Sequence, residues 1–332
     1  MVLCLPHLKS SHLKRLLGIG WLALPRLVGA QYPGDITSDM YNKEMRDLLE
    51  RAPRSALVSG SLPIVPPRAD WQLGMISWVA IDNEGLIYLL HRGRAADPLV
   101  VVDGDGRVVR SWGAGHFVMP HAVRIDPDGN VWTTDASTSI VTKFARDGRK
   151  LLEIHVGGLP ADCGNPNPFC GTTDVAFGPN GRVYIADGYR NARVLEYSQS
   201  GTKLREWSTA APGTSTFARA HSIAVDNDGV IYVADRENGR VQRFDPDGRL
   251  LGDWPRLGRP YGLSLAPDGL WVATLPVVEP WTLGFLVKVD PKSGRVLEHL
   301  PTAGIHGLHA EADQLIVAPG LDGRPLVFRR RP

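Results

Sequence analysis

The stretch IAVDNDGVIY, residues 223–232, is an alternating apolar run, a turn centred on Asp-Gly and a second β-rich run. Alternation with a period of two on both sides of such a turn is the pattern of a β-hairpin. A weaker copy of this pattern starts at 307–308 and continues through 315–317. Four other clear copies occur, and together with the quoted one they start 40–52 residues apart. They are VAIDNEGLIY at 79–88, VRIDPDGNVW at 123–132, VAFGPNGRVY at 175–184 and LSLAPDGLW at 263–271.

Each clear hairpin is followed by a third β-rich run, another Gly turn and a fourth run, which often ends in Trp, as at Trp112, Trp207 and Trp254. Four antiparallel strands per roughly 45 residues make one blade of a β-propeller. We therefore predict an all-β fold, a six-bladed β-propeller of four-stranded antiparallel blades over residues 55–330. The last copy holds only three strands, so residues 56–59 are expected to supply its outer strand and close the ring.

The composition is that of a folded, nearly neutral chain with many turns. The 332 residues include 36 Gly and 26 Pro, and 37 Lys+Arg against 35 Asp+Glu give a net charge of +2. Without a concentrated basic face, we expect no nucleic-acid partner. The apolar content excludes a disordered chain, and three Cys cannot form a disulfide scaffold. Two domains are the usual expectation at this length, but the repeats favour a single ring.

The first 30 residues form a separate segment. Basic residues precede an apolar run at 16–24, and the small residues Val28, Gly29 and Ala30 follow it. This order is typical of a secretory signal peptide, and the run is too short to span a membrane. We expect export to the periplasm or the cell exterior, with 31–54 as a polar lead-in. The alternative is an apolar leader with no targeting role.

Equivalent positions in the six blades lie on a ring around the propeller axis. The position two residues before the first apolar residue of each hairpin holds His in the second, fourth and sixth copies, at His121, His221 and His306. Alternate blades of a six-bladed ring are about 120° apart, so these imidazoles should converge in the channel. Three His with an open fourth position are the ligand set of a catalytic zinc. The alternative is that each His is a separately hydrogen-bonded channel residue.

A second set of positions lies just beyond the second strand of each blade, where Arg92, Tyr189 and Arg236 stand. The guanidinium fork binds carboxylates through two hydrogen bonds. A Tyr near a metal and two cations can have its pKa lowered enough to act as a base. We predict that these three residues are catalytic. A structural role in tying strand ends is favoured for four nearby polar residues: Asn191, Arg193, Asn238 and Arg240.

Five segments carry a resemblance to a known family: HRG at 91–93, PHAV at 120–123, FCGTTDVA at 169–176, DGYRNARV at 187–194 and ADRENGRV at 234–241. Over about residues 56–330 the chain resembles NHL-repeat propellers, and more specifically the peptidyl-α-hydroxyglycine α-amidating lyase domain of peptidylglycine α-amidating enzymes. The resemblance implies a zinc held by three His, a catalytic Tyr and two substrate-binding Arg. The matching positions are His121, His221, His306, Tyr189, Arg92 and Arg236.

The implied reaction cleaves the C–N bond of a peptidyl or small α-hydroxyglycine to an amide and glyoxylate. We expect a monomer that acts on a substrate with a carboxylate. A non-catalytic NHL-type propeller that binds a ligand or a protein partner is the alternative. Another metal-dependent propeller enzyme, such as a lactonase, would need acidic metal ligands where this register supplies His.

The chain departs from the family in a calcium ligand and in a disulfide. The resemblance implies a calcium bound by backbone carbonyls, at positions matched by Ile76 and Val123, and by an Asp directly after the third His, where Gly307 stands. The missing carboxylate disfavours that calcium. In animal members the Cys at the position of Cys170 pairs with one where Arg190 stands here. That bridge is absent, so Cys163 can pair locally with Cys170 after export, or both remain thiols.

Overall fold

A computed structural model describes residues 38–158, 168–208, 217–254, 257–276, 283–312, 314–319 and 324–330. The expected signal peptide at 1–30 and Cys163 lie outside these residues. A single stretch of α-helix, α1 (Ser38–Arg51), precedes the strands of the described chain. No helix among the described residues is long and apolar enough to cross a bilayer.

The described strands form six four-stranded antiparallel sheets, which confirms the predicted six-bladed all-β propeller. The first blade holds β2 (Ile76–Ile81), β3 (Ile87–His91), β4 (Leu99–Val102) and β5 (Val108–Trp112). The second holds β6 (Pro120–Ile125), β7 (Val131–Asp135), β8 (Ile140–Phe144) and β9 (Lys150–His155). The third holds β10 (Asp174–Gly178), β11 (Arg182–Asp187), β12 (Arg193–Tyr197) and β13 (Lys203–Trp207).

The remaining three blades have the same order. The fourth holds β14 (Ala220–Val225), β15 (Ile231–Asp235), β16 (Arg240–Phe244) and β17 (Leu250–Asp253). The fifth holds β18 (Arg259–Ala266), β19 (Gly269–Leu275), β20 (Leu283–Val289) and β21 (Val296–Ala303). The sixth holds β22 (Ile305–Ala310), β23 (Gln314–Pro319), β24 (Leu326–Arg330) and, outermost, β1 (Leu57–Ser61), which precedes the first blade in sequence.

Strand β1 pairs antiparallel with β24, so that Leu57 lies opposite Arg330 and Ser61 lies opposite Leu326. The innermost strands of consecutive blades contact one another, and β22 of the last blade contacts β2 of the first. Each innermost strand therefore has an innermost strand of the next blade on either side, and the ring of blades is continuous.

The repeated Asp in the hairpin motif has a structural role. In the first blade, Asp82 Oδ1 accepts the backbone N–H groups of Glu84 and Leu86, each at 3.0 Å, and Tyr88 donates its hydroxyl to Asp82 Oδ2 at 2.9 Å. Gly85 at the tip has φ +79°, a left-handed conformation that favours glycine. The carboxylate thus fixes the turn and joins it to an aromatic residue on the next strand.

The apolar core lies between the blades. Within the described residues, each pair of adjacent blades encloses one cluster of buried aliphatic and aromatic side chains. The cluster between the fourth and fifth blades also takes in Met45 and Leu49 of α1, which pack with Trp254 and Leu257. The helix therefore docks on the propeller through its apolar face, and burial of that face stabilises the docked position.

Candidate metal centre and substrate site

The three predicted His occupy equivalent irregularities at the start of innermost strands. The register shifts between Pro120 and Ala122 in β6, between Ala220 and Ser222 in β14, and between Ile305 and Gly307 in β22. The residue left between the paired positions is the His in every case. A bulge re-aims a side chain away from the regular pleat. The local backbone thus turns each imidazole out of its blade.

His121, His221 and His306 meet at one point. The ring centroids are 5.0 Å apart for His121 and His221, 4.7 Å for His121 and His306, and 5.0 Å for His221 and His306. One nitrogen from each lies within 4.8 Å of the others. The structure therefore brings together the three imidazoles that the repeat register selects, in a nearly equilateral arrangement that could bind a metal ion.

Backbone carbonyls of the other three blades orient these imidazoles. The Nδ1 atoms of His121, His221 and His306 contact the carbonyl oxygens of Thr173, Tyr261 and Ser77 at 2.5, 2.6 and 2.9 Å. Because a carbonyl oxygen only accepts, each Nδ1 carries the proton and donates it. Each Nε2 therefore keeps its lone pair, which is the tautomer that a metal ligand needs.

Burial keeps the three imidazoles neutral. Desolvation holds the pKa of His121 and of His221 well below 6.5, and the positive charge of Arg236 acts in the same direction on both, as does that of Arg92 on His121. Burial, followed by the charge of Arg92, lowers the pKa of His306 to about 3. At neutral pH three uncharged nitrogen ligands converge, as first-row divalent metals such as zinc require. The donor set fits that ion.

Tyr189 lies against the three-His cluster. Its hydroxyl is 2.9 Å from His121 Nε2, to which it donates, and 3.4 Å from His221 Nε2. Burial raises the pKa of the phenol above 10, whereas the charges of Arg236, Arg92 and Arg219 act in the opposite direction without outweighing it. The expected lowering of this pKa therefore needs the additional charge of a metal ion.

Arg92 is held by its Nε atom, which donates to the carbonyl oxygen of Pro120, the residue before His121, at 3.0 Å. Its guanidinium lies 5.2 Å from the ring centre of Phe169. The Nη2 atom is buried and has no hydrogen-bond partner among the described residues. A buried unpaired donor is costly, so this nitrogen is suited to an anionic ligand group.

Arg236 is fixed by an acidic residue that sequence reasoning did not select. Its Nε and Nη2 atoms donate to Glu237 Oε1 at 2.9 and 2.7 Å. Arg219 also donates to this oxygen at 2.9 Å, and Arg259 pairs with Glu237 Oε2. Burial opposes ionisation of Glu237, but the charges of Arg236, Arg259 and Arg219 outweigh it and lower the pKa to about 2.

Arg219 and Arg259 extend the cationic side of the site. Arg219 lies 5.3 Å from the ring centre of Tyr189, and Arg236 and Arg259 lie 4.6 and 5.9 Å from that of Tyr261. Two features of the sequence could have indicated this group of three arginines and Glu237. Arg219 stands two residues before His221, and an acidic residue directly follows Arg236. One carboxylate among three guanidinium groups leaves a net positive charge beside Tyr189.

The polar residues for which a structural role was favoured bond to carboxylates at strand ends. Asn191 and Arg193 donate to Asp187 Oδ2 at 2.9 and 2.8 Å. Asn238 and Arg240 donate to Asp235 Oδ2 at 2.7 and 2.9 Å. These contacts link the second and third strands of the third and fourth blades, at the ends of the strands that Tyr189 and Arg236 follow in sequence.

The calcium site that the resemblance implies does not fit the residues present. A Cβ atom built at Gly307 would lie 2.5 Å from Cδ2 of the buried Trp78 indole, so no carboxylate side chain has room there. Since Ca²⁺ sites in proteins depend on carboxylate oxygens, two carbonyl groups alone make a poor site.

Cys170 is buried and disulfide-bonded, next to Phe169, whose ring packs against Tyr189 and Arg92. Its predicted partner, Cys163, lies outside the described residues. The backbone N–H groups of Cys170 and Gly171 both donate to the carbonyl of Ala136 at 2.9 Å. The segment that carries Phe169 is therefore anchored to the second blade.

Comparison with known proteins gives one family and several relatives. The sequence model of the NHL repeat matches residues 217–244. A protein of Caenorhabditis elegans named as a probable peptidyl-alpha-hydroxyglycine alpha-amidating lyase is 29% identical over 232 residues, which cover 61% of this chain and 65% of that protein. The rat peptidylglycine alpha-amidating monooxygenase is 32% identical over 203 residues, or 52% of this chain and 21% of that protein.

The chain thus spans less than two thirds of the length of either relative. Among solved structures, virginiamycin B lyase from Staphylococcus aureus is 14% identical, with a TM-score of 0.55 over 82% of this chain and 98% of that one. At this identity the likeness concerns the propeller fold alone.

Proposed function

We propose that this chain, which carries an NHL repeat and resembles the peptidyl-α-hydroxyglycine α-amidating lyases, is a zinc-dependent lyase. Its reaction would cleave the C–N bond of a peptidyl or small α-hydroxyglycine to give an amide and glyoxylate. One observation carries the proposal: three neutral imidazoles from alternate blades meet beside a tyrosine hydroxyl and an arginine nitrogen that no described residue bonds.

The Nε2 atoms of His121, His221 and His306 would hold the zinc ion, because their Nδ1 atoms already donate to carbonyls. When bound, zinc would act as a Lewis acid and lower the pKa of an adjacent hydroxyl group. The three backbone carbonyls hold the imidazoles in place with the proton on Nδ1, and burial keeps them neutral, so the ligands need no reorganisation.

Arg92 and Arg236 would bind the substrate carboxylate. Arg92 offers a buried donor that has no partner in the described part of the chain, and Arg236 is held rigid by two bonds to Glu237. Charge-assisted hydrogen bonds to a carboxylate are among the strong ones, and pre-oriented donors lose little entropy on binding. This contact would place the carbon that carries the hydroxyl next to Tyr189.

Tyr189, in its phenolate form, would remove the proton of the α-hydroxyl group. The oxygen electron pair then forms the aldehyde C=O bond of glyoxylate while the C–N bond breaks and its electrons pass to the amide nitrogen. That nitrogen takes up one proton, so the proton removed by Tyr189 balances the proton gained by the amide. General-base catalysis of this kind contributes about 10²–10⁴-fold to a rate.

We also propose that the protein is exported and acts as a monomer. The signal-like order of residues 1–30 and the disulfide of Cys170 both suit an oxidising compartment. All proposed ligands and catalytic residues come from one chain, so the site needs no partner copy.

The test is product analysis with N-benzoyl-α-hydroxyglycine and the zinc-loaded protein. We expect glyoxylate and benzamide in equal amounts, well above the spontaneous rate. N-(hydroxymethyl)benzamide, which lacks the carboxylate, is the control and should be turned over far more slowly. A rate no higher than the spontaneous one for the first compound would disprove the lyase function, and equal rates for the two would remove the carboxylate role of the arginines.

A further inference from the structure

Arg124 lies in the channel at the level of the innermost strands, three residues after His121 on β6. Its Nε and Nη2 atoms donate to the two carboxylate oxygens of Asp174 at 2.9 and 2.7 Å. Nη2 also donates to the carbonyl of Leu263 at 2.9 Å. The Arg124 side chain is 13% exposed and that of Asp174 is fully buried. This is a buried ion pair with several additional hydrogen bonds.

The partners of Arg124 are distributed around the ring. Asp174 belongs to the third blade and Leu263 to the fifth, and the guanidinium lies 4.8 Å from the ring centre of Trp78 in the first. Ser222, in the fourth blade, donates to Asp174 Oδ2 at 2.6 Å and accepts the N–H of Leu263 at 3.0 Å. One cation of the second blade therefore ties four other blades together at the axis.

These partners adjoin the carbonyls that orient the His residues. Thr173, Ser77 and Tyr261 supply those carbonyls. Asp174 directly follows Thr173, Trp78 directly follows Ser77, and Leu263 is two residues after Tyr261. The first, third and fifth blades supply no His to the three-His cluster. Each of them contacts Arg124 through a residue that lies within two positions of the carbonyl that orients an imidazole.

We propose that Arg124 is the positioning residue of the three-His centre, and that its guanidinium is the fixed cation of this channel where relatives are expected to use calcium. The positioning role rests on the proposed metal centre, whereas the absence of a calcium requirement does not. Arg124 acts through Thr173, Ser77 and Tyr261 and does not itself touch the imidazoles' Nε2 atoms.

A guanidinium suits this role for physical reasons. It remains charged at all physiological pH values and presents several donors in one plane, so it satisfies Asp174 and Leu263 at the same time. Its flat face also stacks on an indole. Trp78 in turn contacts His306 edge-on at 5.8 Å and fills the space that a side chain at residue 307 would need. The Trp78 indole thus packs against Gly307, which leaves it room, and against the Arg124 guanidinium.

The experiment compares Arg124→Lys with Arg240→Lys in the full chain, using cobalt(II) as the metal probe. Both arginines bind a fully buried Asp and both are 13% exposed, but Arg240 contacts Asp235 away from the orienting carbonyls. Lysine keeps the charge but replaces the planar fork, whose Nε and Nη2 atoms serve Asp174 and Leu263, by a single nitrogen atom. We expect Arg124→Lys to weaken cobalt binding by about 10–100-fold and to change its visible absorption bands, with Arg240→Lys close to the wild type in both.

Equal cobalt affinity and spectra in Arg124→Lys and the wild type would overturn the positioning role, as would equal losses in the two variants. If Arg124→Lys does not fold, Asp174→Asn, which loosens the same ion pair, should show the same change. A wild type that binds no cobalt would instead contradict the metal centre itself. Separately, the wild type should carry no calcium and gain no thermal stability from added calcium, and one bound calcium per chain would overturn that part.

Discussion

Replacing Tyr189 by Phe should remove most of the turnover and leave the fold and the metal centre intact. The Tyr189 ring packs on Phe169, His121 and His221 with centroid distances of 5.0, 5.2 and 5.8 Å. Phenylalanine keeps all of these contacts and the stacked arginines. Only the hydroxyl group and its bond to His121 Nε2 are lost.

The expected changes in stability and in kcat both follow from the loss of the Tyr189 hydroxyl group. One hydrogen bond contributes about 0.5–1.5 kcal/mol to stability, and the change also removes a buried hydroxyl, so the free energy of unfolding should change by less than about 1.5 kcal/mol. Loss of a general base should lower kcat by about 10²–10⁴-fold, which corresponds to roughly 3–5 kcal/mol in the activation barrier.

The assay is glyoxylate release at saturating substrate, with zinc content and Tm measured on the same samples. Tyr184→Phe is the matched control, because Tyr184 is also buried in the third blade but packs against Trp207 on its outer side. The control should retain the wild-type kcat. A Tyr189→Phe variant with kcat within threefold of the wild type would refute the role of Tyr189 as the base.

Three further changes test other parts of the account. Arg92→Lys keeps the charge but loses the guanidinium fork, so kcat/KM should fall by about 10–100-fold, mainly through KM; an unchanged KM would contradict carboxylate binding. Glu237→Gln should lower the free energy of unfolding at pH 7. Because the pKa of Glu237 is about 2 in the folded chain and near 4.5 when unfolded, its stabilising effect is complete above pH 4.5 and is lost as the pH falls towards 2. The gap between variant and wild type in urea unfolding should therefore be about 2 kcal/mol smaller at pH 3 than at pH 7, and a wider gap at pH 3 would be inconsistent with this sign. Leu49→Ala, at a side chain 4% exposed in the cluster around Trp254, should cost about 2–5 kcal/mol of stability, and a loss under 0.5 kcal/mol would show that α1 is not docked.

Much of the fold could be predicted because the hairpin motif repeats. In the first, second and fourth blades a Tyr or Trp donates to the Asp that begins the turn, as Tyr232 does to Asp226 at 2.8 Å, and this bond requires a fixed spacing that is visible in the sequence. Once the repeat is aligned, positions on alternate blades follow by symmetry. The convergence of His121, His221 and His306 is therefore predictable without any linear metal-binding motif.

Residues that act between blades could not be predicted in this way. The contact of Arg124 with Asp174 and Leu263 joins residues that occupy non-equivalent positions of different repeats, so the alignment of copies does not indicate it. Arg219 and Arg259 occupy equivalent positions of neighbouring repeats, but their convergence on Glu237 depends on side-chain directions that the alignment of copies does not give. Docking of α1 depends on an apolar face without a repeat partner.

The most direct measurement is the metal content of the purified chain together with its rate of glyoxylate release, before and after the metal is removed and restored. We expect one zinc per chain and a rate proportional to bound zinc. His221→Ala should lose both, whereas His309→Ala, whose imidazole lies 3.5 Å from Glu311 and outside the three-His cluster, should keep both. A His221→Ala variant that retains its zinc, or a metal-free chain that releases glyoxylate at the full rate, would contradict the central claim.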